Sequence, residues 1–325
     1  MAIDKNEHLL SVLKTHKMSH IDSLLSKYKV KRDEVRKALE EEYADNIYGL
    51  MNSGSYAKHT AMNSKFDLDI IVPFKKDAFE TLEKMFENIY EFLYNKYQQS
   101  GAGIVRKQKV SIGIEFHPDN EGDVINLDIV PGRELNHGSY SEAKDLNLMF
   151  NEQAGLFPKN SRIKTNIQNQ IDHIRKTGDE RHSARQIIRL FKIWKFNSGE
   201  KYKSFLLELL TIKAFNNADV TGDLWEKLKK VMEYIRDNVT TNNFKLTDPG
   251  NSNNNVIETL ESWERSDLAS RMDTIIKRIE EDSENIKYYF PVNEKFEEKA
   301  RSQNSYGLKG AIITPSIPSN NQRFG

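Results

Sequence analysis

The chain has 325 residues, enough for two domains or one elaborated domain, and its 38% apolar content is that of a globular protein. Lys plus Arg and Asp plus Glu both number 48, so the net charge of +0 excludes a whole-protein field favouring tight, non-specific nucleic-acid binding. The absence of cysteine excludes structural disulfides and Cys-ligated zinc modules, and the eight histidines show no paired ligand spacing.

No run approaches the roughly 18 apolar residues of a membrane span. The start "MAIDKNEHLL" carries charges where a signal peptide needs its apolar core, so a soluble, cytoplasmic protein is expected. "NEHLLSVLKTHKM", with Leu9, Leu10 and Leu13, and "KVKRDEVRKALEEEYADNIYGL", with Val35, Leu39 and Tyr43, read as amphipathic helices. Strand signals dominate from Leu50 to about Phe150: "DLDIIVPF", "VRKQKVSIGIEF", "VINLDIVPG" and "DLNLMF". One helix, "DAFETLEKMFENIYEFLYNKY", interrupts them.

After Pro158 the pattern turns almost wholly helical, with "KTNIQNQIDHIRKTG", "SARQIIRLFKIWKF", "SFLLELLTIKAF", "LWEKLKKVMEYIRDNV" and "LASRMDTIIKRIEEDSENI". Three parts are expected: residues 1–158 with N-terminal helices and an α/β lobe, a helical lobe at 159–300, and a flexible tail at 301–325. Trp194, Trp225 and Trp263 stand at helical spacing and are assigned to the core.

The candidate chemistry begins with "GSYAKHTAMNSKFDLDIIVPF". Side chains at i and i+2 of a strand share a face, so Asp67 and Asp69 project together from an apolar run. Asp128 lies in a second such run, "VINLDIVPGRE". Adjacent carboxylates repel unless a cation compensates, and three of them on neighbouring strands suit two divalent ions in phosphoryl or nucleotidyl transfer. Gly54 lets the backbone approach a phosphate, Ser55 adds a hydroxyl, and "SYAKHTAM" is expected to begin a helix whose N–H groups face an anion. In "SARQIIRLFKIWKF", Arg185, Arg189 and Lys192 fall at i, i+4 and i+7, opposite an apolar face, which predicts a local anion site. A solvated helix face explains the same spacing. His59 reads as a surface residue, and "KVKRDEVRK" as a solvated helix.

Gly54-Ser55, Asp67-Leu68-Asp69 and Asp128 resemble the polymerase-β-like nucleotidyltransferase pattern. "GSYAKHTA", "DLDIIVPF", "LDIVPGRE", "RLFKIWK", "KSFLLELL" and "DPGNSNNN" are most similar to the bacterial cGAS/DncV-like nucleotidyltransferases, the CD-NTases, over roughly residues 45 to 260. The resemblance implies an α+β fold: a two-lobe nucleotidyltransferase core, with a mixed sheet and helices, plus a helical bundle. It implies that Asp67, Asp69 and Asp128 are catalytic and bind two Mg²⁺ ions, with Mn²⁺ as a substitute. Lys192 would hold the donor triphosphate, with Arg189 as the alternative; Ser204 would bind phosphate; and Phe205 would stack on a base or belong to the core. "TDPGNSNNN" would be the family's Asp-Pro turn near the active-site mouth, or a plain polar turn.

The activity so implied joins nucleoside triphosphates, ATP and also GTP, UTP or CTP, into a cyclic di- or trinucleotide second messenger. Pyrophosphate is released, in bacterial anti-phage (CBASS-type) signalling. Without cysteine or a basic surplus, no obligatory DNA or RNA activator is expected. The alternatives are a linear transferase acting on RNA, protein or a small molecule, and a non-catalytic nucleotide-binding module. Some systems of this family attach the synthase's C-terminal residue to a target through ubiquitin-like conjugation enzymes. This chain ends in Phe324-Gly325, which makes Gly325 the candidate conjugation site, against an incidental end.

Overall fold

The computed structural model describes residues 2–152, 159–176 and 178–297. The expected tail at 301–325, with Gly325, lies outside them. The chain is mixed helix and sheet and its described residues form two compact units, one built from residues up to His20, His59–Lys65 and Asp172 to Glu297, the other from Ile21–Lys58 and from Phe66 to Ile171. This differs from a cut at Pro158, because each unit takes back a piece of the other's stretch of sequence.

The sheet unit runs from helix α2 (Asp22–Tyr43) through strand β1 (Met51–Ser53), the single turn α3 (Gly54–Ala57), β2 (Leu68–Phe74) and α4 (Leu82–Leu93). It continues with β3 (Gly103–Lys107), β4 (Ile112–Phe116), β5 (Asn126–Glu134), the short α5 (Tyr140–Ala143), β6 (Leu146–Glu152) and β7 (Lys159–Thr165). The strand order is β1-β2-β5-β4-β3, with β6 paired to β5 and β7 to β6. Among the described residues only β2 and β5 run parallel; the other pairs of this sheet are antiparallel.

Alternation along β2 and β5 sorts the two faces of the sheet. Ile71 and Val130 join Tyr140, Leu146, Leu148, Ile167 and Ile171 in one core cluster. On the other face Phe74 meets Tyr43 of α2 edge-on at 5.1 Å, and α4 buries Met85, Phe86, Ile89 and Leu93 at helical spacing. The run read as one strand at 105–116 is a hairpin. Gln108 N–H donates to the Ser111 carbonyl at 2.8 Å and closes a turn between β3 and β4.

The stretch after Pro158, expected to be almost wholly helical, begins with β7, which extends the sheet, and Ile167 and Ile171 join a core cluster of that unit. The helix expected after Gly54-Ser55 is also cut to one turn, ending near His59, whose φ of 59° is left-handed.

The helical unit holds α1 (Lys5–Thr15), α7 (Asp179–Asn197), α8 (Ser204–Asn217), α9 (Leu224–Asn238), α10 (Ser262–Glu281) and α11 (Ile286–Tyr289), with the β8 (Thr247–Asp248) and β9 (Asn251–Asn255) hairpin between α9 and α10. Helix α6 (Ile167–Arg175) straddles the boundary. Leu9, Val12 and Leu13 of α1 are buried in one core with Phe191, Trp194, Leu210, Trp225, Met232 and Met272, which is why the first helix belongs here; Leu10 faces outward.

Trp263 is not core but 69% exposed. It lies five residues before Leu268, about 140° round the helix from the stripe that Leu268, Met272 and Ile275 bury. No helix of the described residues is long and apolar enough to cross a membrane.

Burial lowers the pKa values of His8, His16 and His173 below 6.5. All three belong to the helical unit, and His16 Nδ1 donates to the Val12 carbonyl at 2.9 Å. The folded chain therefore favours their neutral forms, while the unfolded chain takes up protons near pH 6.5. Thermal denaturation should show full histidine-linked stability above pH 7 and a progressive loss on acidification below 6.5. A His16→Gln variant should show a shallower decline.

Candidate active site

In the sheet unit, parallel pairing sets Asp69 of β2 directly beside Asp128 of β5. Asp67 lies one residue before β2, two from Asp69. Buried Leu68, Ile70, Leu127 and Ile129 fill the opposite face, so the register that buries them turns the acids together. One oxygen from each of Asp67, Asp69 and Asp128 lies within 4.8 Å of the others. Asp67 is exposed, and the other two are half-buried.

Burial, and then the charge of Asp67, push the Asp128 carboxyl up to about 6, while a hydrogen bond from Gln108 Nε2 to Oδ1 at 2.9 Å pulls the other way. A set of hard oxygen donors that repel one another this strongly fits Mg²⁺ or Mn²⁺.

Gly54 has φ 71°, and a Cβ there would stand 1.6 Å from Asp69 Oδ2. Its smallness makes room for the carboxylate as well as permitting the backbone. Ser55 follows within the single turn α3, which is too short to gather a helix dipole.

The helical unit carries the other sequence candidates. Lys192 is 8% exposed, and its Nζ pairs with Glu208 Oε1 at 2.6 Å and donates to Thr60 Oγ1 at 2.7 Å. The charge read as part of an exposed cationic face is thus held inside, between α7, α8 and the His59–Lys65 segment. Arg189 donates to the His59 carbonyl at 3.1 Å; burial, then Arg185, lowers it to about 10. Arg185 donates to the carbonyls of Arg175 and Lys176, both at 3.1 Å.

Ser204 opens α8 and accepts from Lys195 Nζ at 3.3 Å, and burial with Lys65 and Lys192 lowers Lys195 to about 8. Phe205 is half-buried and packs on two core clusters. His59 is exposed as a residue, and partial loss of water around its ring, followed by the charges of Arg175, Arg185 and Arg189, lowers its pKa. In "DPGNSNNN", Asp248 is buried and accepts from Gly250 N–H at 2.8 Å and Asn254 Nδ2 at 3.1 Å, closing the β8–β9 hairpin.

Sequence reading passed over Gln108, Thr60 and Glu208. A lone acid inside "FLLELL" is itself the signal of a buried pair, and Gly113 inside the strand "SIGIEF" signals a close approach.

No protein-family model matches the chain. It is 26% identical over 207 residues to the CBASS oligonucleotide cyclase CdnC of Escherichia coli strain KTE188, covering 62% of each chain. It is 27% identical over 195 residues to the cyclic AMP-AMP-AMP synthase of E. coli strain MS 115-1, covering 57% of this chain and 56% of the other. The chain thus matches less than two thirds of the length of these curated relatives.

Among solved structures, E. coli MS115-1 CdnC with ATP superposes with a TM-score of 0.64 at 18% identity, over 92% of this chain and 96% of that one. The same protein in complex with HORMA-deltaN gives 0.63 at 18% identity, with the same coverage. Bradyrhizobium diazoefficiens CdnG in complex with GTP gives 0.70 at 12% identity, over 93% and 98%. At these identities the superpositions establish the fold.

Two predictions follow from the geometry. Cutting one partner from a buried ion pair strands the other charge, so Glu208→Ala should lose about 3–5 kcal/mol in urea unfolding. The K192M/E208L double variant should recover most of that. For the carboxylates, a cation at pH 5 must displace the Asp128 proton, whereas at pH 7.5 it meets an ionised group. The rise in melting temperature on adding Mn²⁺ should therefore be larger at pH 7.5 than at pH 5, and Asp128→Asn should flatten the difference.

Proposed function

We propose that this chain, which belongs to the CD-NTases, the cGAS-like nucleotidyltransferases, joins nucleoside triphosphates into a cyclic di- or trinucleotide. The observation that carries this reading is the meeting of Asp67, Asp69 and Asp128 within 4.8 Å on adjacent strands. The names of the relatives, cyclases and a cyclic trinucleotide synthase, support a cyclic product over a linear transfer. A non-catalytic module has no use for three mutually repelling carboxylates.

Asp67, Asp69 and Asp128 would hold two Mg²⁺ ions, with Mn²⁺ as a substitute. When bound, such ions neutralise the triphosphate and make a ribose hydroxyl easier to deprotonate. In each transfer the hydroxyl oxygen of one nucleotide bonds to the α-phosphorus of another, the bond to the β-phosphate breaks, and pyrophosphate leaves. Asp128, ionised above pH 6 and hydrogen-bonded through Oδ1 to Gln108, would accept the hydroxyl proton. A second transfer within the linear product closes the smallest ring.

Gly54, whose lack of a Cβ leaves room for Asp69 Oδ2, and Ser55 after it would serve the donor phosphates. Arg189, Lys192, Ser204 and Phe205 are assigned to nucleotide binding, Lys192 through its framework with Glu208 and Thr60. ATP and GTP are the substrates supported by the relatives solved with them.

Such a product places the chain in anti-phage signalling in the cytoplasm, where nucleoside triphosphates are supplied. The CdnC complex favours a HORMA-type protein as partner, over conjugation at Gly325.

Incubation with labelled nucleoside triphosphates and Mg²⁺, followed by phosphatase and mass spectrometry, should leave a resistant product without terminal phosphate. Asp69→Asn should abolish it, by at least about a thousandfold, while keeping the fold. Only phosphatase-sensitive products would overturn the cyclase reading, and an active Asp69→Asn enzyme would overturn the site.

A further inference from the structure

We infer that Gln108 is a positioning residue that fixes the orientation of the Asp128 carboxylate. The inference rests on the reading that the three acids hold divalent cations. Gln108 sits at the start of the turn between β3 and β4, and its Nε2 donates to Asp128 Oδ1 at 2.9 Å.

An amide could present either end, but here the orientation is set. Ser111 Oγ–H donates to Gln108 Oε1 at 2.8 Å, which leaves the NH₂ to face Asp128. Ser111 is only 5% exposed, so water does not readily replace it as the donor. The turn itself is pinned twice, by Gln108 N–H on the Ser111 carbonyl at 2.8 Å and by Asn151 N–H of β6 on the Lys109 carbonyl at 2.7 Å.

A glycine clears the path. Gly113 of β4 pairs in register with Asp128, and its φ is not in the left-handed region, so backbone freedom does not explain it. A Cβ at 113 would stand 2.5 Å from Gln108 Nε2 and 3.3 Å from Asp128 Oδ1. The side chain missing from Gly113 is the space through which the Gln108 amide reaches the carboxylate. A glycine inside a strand weakens it, so the sequence gives up strand stability at the one position where the amide must pass.

The chemistry suits a supporting role. An NH₂ group donates and cannot ligate a cation, so it does not compete with the carboxylates for metal. It restrains Asp128 through one oxygen and leaves Oδ2 without that hydrogen bond. Such supporting donors hold metal-binding groups in place and strengthen binding.

The test uses the full chain in two assays. Mn²⁺ binding is measured without nucleotide from the electron paramagnetic resonance signal of free Mn²⁺, and turnover is measured with nucleoside triphosphates. Gln108→Leu should weaken Mn²⁺ binding about 10–100-fold and lower kcat to a similar extent, with KM for ATP changed less than about twofold. Gly113→Ala should reproduce the loss in the wild-type background yet add less than about twofold in a Gln108→Ala background, where no amide remains to displace.

Asp128→Asn separates the two readings. If it leaves Mn²⁺ binding intact, the metal reading of the triad fails. If it weakens binding while Gln108→Leu stays within about twofold of wild type in both assays, the role assigned to Gln108 is overturned. Should Gln108→Leu not fold, Ser111→Ala decides: it removes only the orienting hydroxyl and is expected to weaken Mn²⁺ binding severalfold, and unchanged binding overturns the inference.

Discussion

The parallel pairing of β2 with β5 is the constraint from which the site follows. It forces Asp69 against Asp128, an arrangement the carboxylates themselves oppose. Two like charges about 4 Å apart near a protein surface repel by about 4 kcal/mol. Burying Leu68, Ile70, Leu127 and Ile129, at about 1.5–3 kcal/mol each, outweighs that, so the apolar face dictates the register and the acids accept it. A slip of β2 by one residue would relieve the repulsion only by turning Leu68 and Ile70 to the wrong face. The site is therefore held by the core beneath it, and its charge is free to be unfavourable until a cation arrives.

The helical unit solves the opposite problem. Lys192 is not a surface cation; with Glu208 and Thr60 it ties α7 and α8 to the His59–Lys65 segment. Arg185 and Arg189 spend their donors on backbone carbonyls instead of carboxylates. Charges at i, i+4 and i+7 therefore do not make a uniform stripe. The last sits one turn deeper in the packing and meets an acid sixteen residues on, in another helix.

This difference marks what the sequence could and could not reveal. Period-two alternation disclosed β2, β5 and β6, and the spacing of Asp67 and Asp69 disclosed a shared face, because both depend only on neighbours along the chain. The mixed fold followed from the order of those segments. The partner of Lys192 did not, since it depends on how two helices pack. The turn at Gln108 was hidden inside a run of strand-forming residues, and β7 behind a segment that also suits a helix. Trp263 misled because a large apolar side chain near a helix start need not fall on the buried stripe.

The two glycines beside the acids show where a sequence carries more than its motifs declare. An Asp-x-Asp recurs wherever a solvated pair is tolerated, so by itself it discriminates poorly. Gly54 and Gly113 are different, because each stands where a Cβ would collide with a carboxylate or with the amide that supports one. They flank the Asp69–Asp128 pair, one across β2 and the other across β5. The requirement is steric and does not depend on whether a cation is bound or which base is read. A glycine opposite an acid on a neighbouring apolar strand is thus a sharper sign of a built carboxylate site than the acids alone, because it records the space the site needs.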